Sequence, residues 1–193
     1  FTYRFFKGAD NYTWAVASTG LYRLNKNNLV TDYYGTQAGT HHTLPFSDIS
    51  DMYDEGNGTA WLATNGEGLL RWEKQANRFR QFSITEGLPS NTLYRIEADE
   101  AHNLWISSDN GLFRFNPATF SVSRYTINDG IADNEFNRIS SFKAKDGRMF
   151  FGGLNGITAF YPRDFAVDTE SSNAPLRVTG FSQFSASGNQ LED

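Results

Sequence analysis

Trp105-Ile-Ser-Ser-Asp-Asn-Gly111-Leu-Phe-Arg-Phe115 decides the fold, because the chain contains the same phrase three more times. It stands as Trp14-Ala-Val-Ala-Ser-Thr-Gly20-Leu-Tyr-Arg-Leu24, as Trp61-Leu-Ala-Thr-Asn-Gly-Glu-Gly68-Leu-Leu-Arg-Trp72 and, in weaker form, as Phe150-Phe-Gly-Gly-Leu-Asn-Gly156-Ile-Thr-Ala-Phe160. The aromatic anchors at 14, 61, 105 and 150 step by 47, 44 and 45 residues. A second phrase recurs between anchors: Phe82-Ser-Ile-Thr-Glu-Gly-Leu-Pro-Ser-Asn91-Thr-Leu-Tyr94 returns as Tyr125-Thr-Ile-Asn-Asp-Gly-Ile-Ala-Asp-Asn134-Glu-Phe-Asn137. A fixed period of this size marks a repeat architecture in which each unit buries its apolar face against its neighbours.

Within each unit, apolar and polar residues alternate over four to six positions and turn dipeptides interrupt the runs, which predicts four short strands per repeat. In the third unit the expected strands are roughly 93–98, 103–107, 111–115 and 120–126. Asn57-Gly58, Asn65-Gly66, Asn110-Gly111, Asp146-Gly147 and Asn155-Gly156 supply the positive φ that tight hairpins require. No window sustains a helical period over three turns. The predicted class is all-β: a β-propeller of four-stranded antiparallel blades, with repeats at about 1–35, 46–83, 92–126 and 135–165. Neither the Gly-His opening nor the Trp-Asp closing of the WD repeat is present.

Composition narrows the function classes. Of 193 residues, 17 are Phe, 9 Tyr and 4 Trp, against 17 Lys plus Arg, so the chain is globular and rich in strand formers. A net charge of -5 without a basic cluster argues against nucleic acid as a partner, since that affinity rests on phosphate neutralisation. With no Cys, disulfide scaffolds, thiolate metal sites and a cysteine nucleophile are excluded. No apolar run reaches the ~18 residues of a membrane span. The start at Phe1, without an initiator Met, reads as a piece of something longer.

The pattern aromatic-Ile-[Ser/Thr]-[Ser/Thr]-x-x-Gly-Leu-x-Arg-[Phe/Tyr], followed by Glu86-Gly-Leu-Pro-Ser-Asn91, resembles the two-component regulator propeller repeat of bacterial hybrid sensors. Phe151-Gly-Gly-Leu-Asn-Gly156-Ile-Thr-Ala-Phe-Tyr-Pro162 resembles the characteristic final blade of that family. Ala174-Pro-Leu-Arg-Val-Thr-Gly-Phe-Ser-Gln-Phe184 is similar to the opening strand of the small β-sandwich that follows the propeller, so 166–193 is expected to hold a linker and that first strand. The resemblance covers about residues 1–184. Two departures stand out: such sensors carry a dozen or more repeats, and the first linker, Thr36-Gln-Ala-Gly-Thr-His-His-Thr-Leu-Pro45, lacks the Gly-Leu-Pro-Ser-Asn form.

Candidate chemistry is sparse. The anchors Trp14, Trp61, Trp105 and Phe150 could stack on sugars, but one position repeated in every blade is more simply packing. Adjacent His41 and His42 point apart on extended chain, with no third ligand at metal spacing, and Asp48 to Gly58 lacks the alternating acids of a calcium loop. No nucleophile elbow, zincin motif or Walker loop occurs. No cofactor, metal site or catalytic residue is assigned.

The loops are more informative. In an antiparallel four-stranded blade the turn between strands two and three shares one end with the connection to the next blade. That end carries Asn65, Glu67, Asn91, Tyr94, Asp109, Asn110, Asn134, Glu135, Asn137, Arg138 and Asn155, rich in directional hydrogen-bonding groups. The competing reading is that Asn and Asp occupy turns for backbone reasons.

The resemblance implies a periplasmic or otherwise extracytoplasmic input region of an inner-membrane sensor. It would bind a small polar ligand or oligosaccharide and pass the signal through the juncture from Tyr161-Pro162 to Ala174-Pro175. The alternatives are a propeller lyase or hydrolase acting on glycans and a protein-interaction platform, because propellers host all three. Counting exposed blade faces adds an expectation of self-association through the end blades, or closure into a ring.

Overall fold

The computed structural model describes residues 2–37 and 41–165, together with the backbone of residues 183–184 and 190–191. The alternating runs become consecutive antiparallel sheets. Blade 1 holds β1 (Thr2–Lys7), β2 (Thr13–Ala17), β3 (Gly20–Leu24) and β4 (Val30–Gly35). Blade 2 holds β6 (Ile49–Asp54), β7 (Thr59–Thr64), β8 (Leu69–Glu73) and β9 (Arg78–Phe82). Blade 3 holds β10 (Leu93–Ala98), β11 (Leu104–Ser108), β12 (Gly111–Phe115) and β13 (Val122–Tyr125). Blade 4 holds β14 (Phe136–Lys143), β15 (Met149–Gly153) and β16 (Gly156–Phe160). Strands pair in sequence order within each blade, so the propeller expected from the repeats is present.

Two blades depart from four strands. Blade 1 gains a short fifth strand, β5 (His42–Thr43), which pairs in parallel with β4 through Tyr34 and His42. The His42 ring stacks on Tyr34 at 4.4 Å, and its Nε2 lies 3.3 Å from Asp32 Oδ1. Among the described residues, blade 4 ends at its third strand. There Tyr161-Pro162 leads into a 3-10 turn at Pro162–Phe165, since proline has no N–H to extend a ladder. Phe165 folds back onto Trp105, Tyr125 and Phe160. The expected sandwich strand at 174–184 lies largely outside the described residues, which show only a two-residue antiparallel pairing of Gln183–Phe184 with Gln190–Leu191.

Hairpin geometry explains the repeated glycine before each third strand. Gly68 and Gly111 sit at φ +80° and +101°, and a Cβ would lie 2.2 Å from the Phe82 carbonyl oxygen at the first and 2.6 Å from that of Tyr125 at the second. Only glycine meets both demands.

Three apolar seams hold the blades together. Trp14, Val16 and Leu21 of blade 1 pack on Met52, Leu62, Leu70 and Trp72 of blade 2. Trp61, Leu69 and Phe82 then pack on Ile96, Ile106, Phe113 and Phe115 of blade 3. Trp105 and Leu112 pack on Phe136, Met149, Phe151 and Phe160 of blade 4. Each tryptophan is buried against the blade that follows its own, and its indole N–H donates to an acid in its own blade's first turn: Asp10 at 3.3 Å, Glu55 at 2.6 Å and Asp99 at 2.9 Å. The anchors are packing elements with their polar atom satisfied, which removes them as sugar platforms.

Candidate functional site

The two connecting loops are built alike. In 83–92 the Ser83 hydroxyl accepts from the Thr85 N–H while Glu86 reaches back to the Ser83 N–H, a capping box closed by Gly87 at φ +96°. In 126–135 Thr126 and Asp129 repeat the arrangement, closed by Gly130. Two hydrogen bonds from Ser83 hold the Glu86 carboxyl below its ordinary pKa. Leu88 and Ile131 then bury into the seams and fix the loops on the propeller.

Most of the polar residues expected at this end spend their hydrogen bonds on that construction. Asn91 Oδ1 accepts from the Ile84 N–H at 2.9 Å and Asn134 Oδ1 from the Ile127 N–H at 3.0 Å. The Asn91 carbonyl accepts from Gly66 and Gly68, and the Asn134 carbonyl from Gly111, so each loop is stitched to the hairpin of the preceding blade. Asn65 donates to Asp48 at 2.7 Å, Asn110 to the Pro89 carbonyl at 2.8 Å, and Asn155 to Asp133 at 2.5 Å. Asp109 accepts from Ser90 at 2.5 Å, the Glu67 carbonyl accepts from Gln81 at 2.8 Å, and Asn137 donates to the Gly153 carbonyl at 3.4 Å. For these residues the backbone reading holds.

What remains converges on the propeller axis. Tyr3 comes from β1, Asp48 from the approach to β6, Tyr94 from β10 and Arg138 from β14. Arg138 Nη2 lies 3.4 Å from Asp48 Oδ2, and its guanidinium covers the Tyr3 ring at 5.2 Å from the centroid. The Tyr94 ring is buried in the seam between blades 3 and 4. Burial, then the negative charges of Asp109 and Glu135, push its hydroxyl above the ordinary tyrosine pKa, against the pull of Arg138. Thus Tyr94, Asp109, Glu135 and Arg138 do form one electrostatic neighbourhood, to which the structure adds Tyr3 and Asp48.

Below this mouth lies a buried ionic core that sequence reading did not single out. The Asp51 carboxylate accepts from Arg4 Nη1 at 2.8 Å and from the Ile96 and Met52 N–H groups, and stands 3.6 Å from Arg95 Nη1. Arg95 Nε donates to Ser141 Oγ at 3.1 Å, and the Ser141 hydroxyl donates to Glu97 at 2.7 Å. Burial lowers the Arg95 pKa against the opposing pull of Asp51. Arg4, Asp51 and Arg95 each follow a register shift in the innermost strand of their blade. A β-bulge re-aims a side chain, here toward the axis. A signal was available: a charged residue flanked by apolar ones at the same place in three repeats.

In β14 the shift is larger. Equivalent pairs, Phe136 with Gly153 and Lys143 with Met149, are seven residues apart on β14, against five between Leu93 and Ala98 on β10. The two extra residues carry Arg138 away from the ionic core and out to the mouth, and bring Ser141 into the place nearest Arg95.

A cavity of about 510 Å³ opens at the opposite end, between blades 3 and 4, lined by Asp99, Arg114, Lys143, Asp146, Tyr161 and Phe165. Its charges are already engaged: Asp99 by Trp105, Lys143 by the Ala98 carbonyl, Arg114 by the Phe165 carbonyl, and Asp146 by Tyr161. Among the described residues no group of three or more His, Asp or Glu is arranged to hold a metal.

No family model matches the chain. It is 28% identical over 135 residues to "Histidine kinase P4" of Formosa agariphila, covering 69% of this chain and 10% of that protein. Among solved structures it is similar to the extracellular domain of a putative hybrid two-component system from B. thetaiotaomicron, with TM-score 0.68, 20% identity, all of this chain and 26% of that one. It is also similar to the extracellular domain of a putative one-component system from the same organism, with TM-score 0.64, 18% identity, 97% of this chain and 28% of that one. Virginiamycin B lyase from Staphylococcus aureus matches with TM-score 0.53, 17% identity, 81% of this chain and 54% of that one. These likenesses establish the propeller fold, and the chain spans about a tenth of the curated relative and about a quarter of the two extracellular domains.

Proposed function

We propose that this chain is part of the extracytoplasmic ligand-sensing propeller of a longer signalling protein, and that a polar ligand of the oligosaccharide class binds at the axial mouth. The observation that carries the reading is the convergence of Tyr3, Asp48, Tyr94 and Arg138, one from each blade or its approach, on one end of the axis. A ligand held by all four would favour one arrangement of the blades over another, which is the thermodynamic requirement for transmitting a signal. Arg138 supplies a planar donor fork, Asp48 and Glu135 supply acceptors, and the tyrosine hydroxyls complete a set suited to vicinal hydroxyl groups. The similarity to a histidine kinase and to sensor extracellular domains supports a signalling parent, with its output in segments beyond this chain.

The lyase likeness supports a second reading, glycan cleavage at the same mouth. Titration calorimetry with neutral and acidic oligosaccharides separates the two. The sensor reading expects binding without product, and Arg138→Ala should weaken it at least tenfold with the melting temperature nearly unchanged, because the Arg138–Asp48 pair is half exposed. Steady product formation abolished by Asp48→Asn would establish the enzyme. Binding that survives Arg138→Ala would place the ligand elsewhere.

A further inference from the structure

The repeats give a rule for what belongs on each blade face. The residue after the hairpin glycine is Leu21, Leu69, Leu112 and Ile157 in successive blades. Leu21 and Leu69 are wholly buried and Leu112 is 1% exposed, each covered by the next blade, yet Ile157 is 68% exposed. Phe142, on the same face, is 62% exposed, and it borders Phe150, the fourth anchor. On the other flank of the molecule the logic runs in reverse. Met52 and Ile96, which pair with Leu62 and Ile106, are buried against the preceding blade, whereas the equivalent Phe5, which pairs with Ala15, is 63% exposed.

The molecule therefore displays two halves of one seam. The first half is Phe142, Phe150 and Ile157 on blade 4. The second is Phe5 with the partly buried Tyr22 and Leu24 on blade 1, and Leu24 holds the place that Trp72, Phe115 and Phe160 occupy opposite each tryptophan. The two halves do not seal against each other within the chain, because Phe5, Phe142 and Ile157 all remain exposed although Arg138 of β14 reaches Tyr3 of β1 at the inner edge.

We infer that the blade 4 face binds the blade 1 face of a second copy of this chain, head to tail. The occupant follows from complementarity: three internal seams show which surface fits an anchor face, and every copy offers one such surface. Because the two partners contribute different faces, the contact is heterologous, so one copy can be a donor to one neighbour and an acceptor to another. This inference is independent of the ligand reading.

Sedimentation of the full chain at tens of micromolar tests it, using Phe142→Glu to block the first half and Phe5→Glu to block the second. Both positions are exposed, so near-ultraviolet circular dichroism should stay native; Ile157→Ser and Phe5→Ser serve as a milder pair. The expected result is assembly of the unmodified chain, monomers for each variant alone, and restoration of a dimer, and nothing larger, when the two variants are mixed. A monomeric unmodified chain would overturn the inference, showing faces that stay bare or close within the chain. Self-assembly persisting in either variant alone would also overturn it, pointing to a contact between like faces or to another surface.

Discussion

Blades 3 and 4 carry the same repeat to different ends. Blade 3 has four strands, apolar seams on both faces and an arginine, Arg95, drawn into the ionic core. Blade 4 has three described strands, one seam, a bare face around Ile157, and an arginine displaced to the mouth by a two-residue insertion in β14. In an architecture where each unit is stabilised by its neighbours, position in the array decides whether an aromatic is core or surface. A small change in bulge length decides whether a charge is structural or available.

The sharpest way to break this comparison is to truncate the two anchors. Trp105→Ala removes a fully buried side chain between two blades and should cost about 3–5 kcal/mol, read by chemical denaturation. Phe150→Ala, on the bare face, should cost less than about 1.5 kcal/mol in the monomer. Equal losses would mean that the face of blade 4 is covered.

The arginines come next. Arg95→Ala leaves the Asp51 carboxylate without one of its two buried cations and should destabilise by about 3 kcal/mol. Arg138→Ala should stay within about 1 kcal/mol. A large effect at Arg138 would assign it to the scaffold after all.

Glycines give a finer contrast. Gly111→Ala combines a positive φ with a clash on the Tyr125 carbonyl and should cost more than ~2 kcal/mol, whereas at Gly156, φ +120° with nothing within 4 Å, backbone strain alone of about 1–2 kcal/mol applies. Thermal melts of both variants make the comparison.

The smallest expected effect is acid sensitivity of the loop cap. Because Ser83 lowers the folded-state pKa of Glu86, the cap's contribution is present above the ordinary carboxylate range and is lost as pH falls through the lowered value. Glu86→Gln should flatten the stability profile below about pH 4.3, the usual Glu value. A profile unchanged by that substitution would show that the cap does not hold the loop.

The strands, the hairpin glycines and the burial of the tryptophans were legible in the sequence because they obey local rules: period two, positive φ and one position per repeat. The polar end was legible as a face and much less so as a site. Asn65, Asn91, Asn110, Asn134 and Asn155 turned out to hold the loops and hairpins together, since a buried or crowded backbone N–H needs a partner wherever the chain turns. Tyr94, Glu135 and Arg138 were named among them without anything to distinguish them. Asp48, Tyr3 and the Arg4–Asp51–Arg95 core were missed because their partners lie about 45 residues or more away in sequence.

By itself, then, the sequence determined the repeat, its strand order and the direction in which each anchor is buried, all of which follow from interactions within a repeat or between successive ones. Only the tertiary structure decided which charges meet on the axis, that Arg138 stands at the mouth while Arg95 is buried, and that Ile157 and Phe5 are left uncovered. Those outcomes depend on bulge register and on the presence or absence of a neighbouring blade, and neither is written in any single stretch of chain.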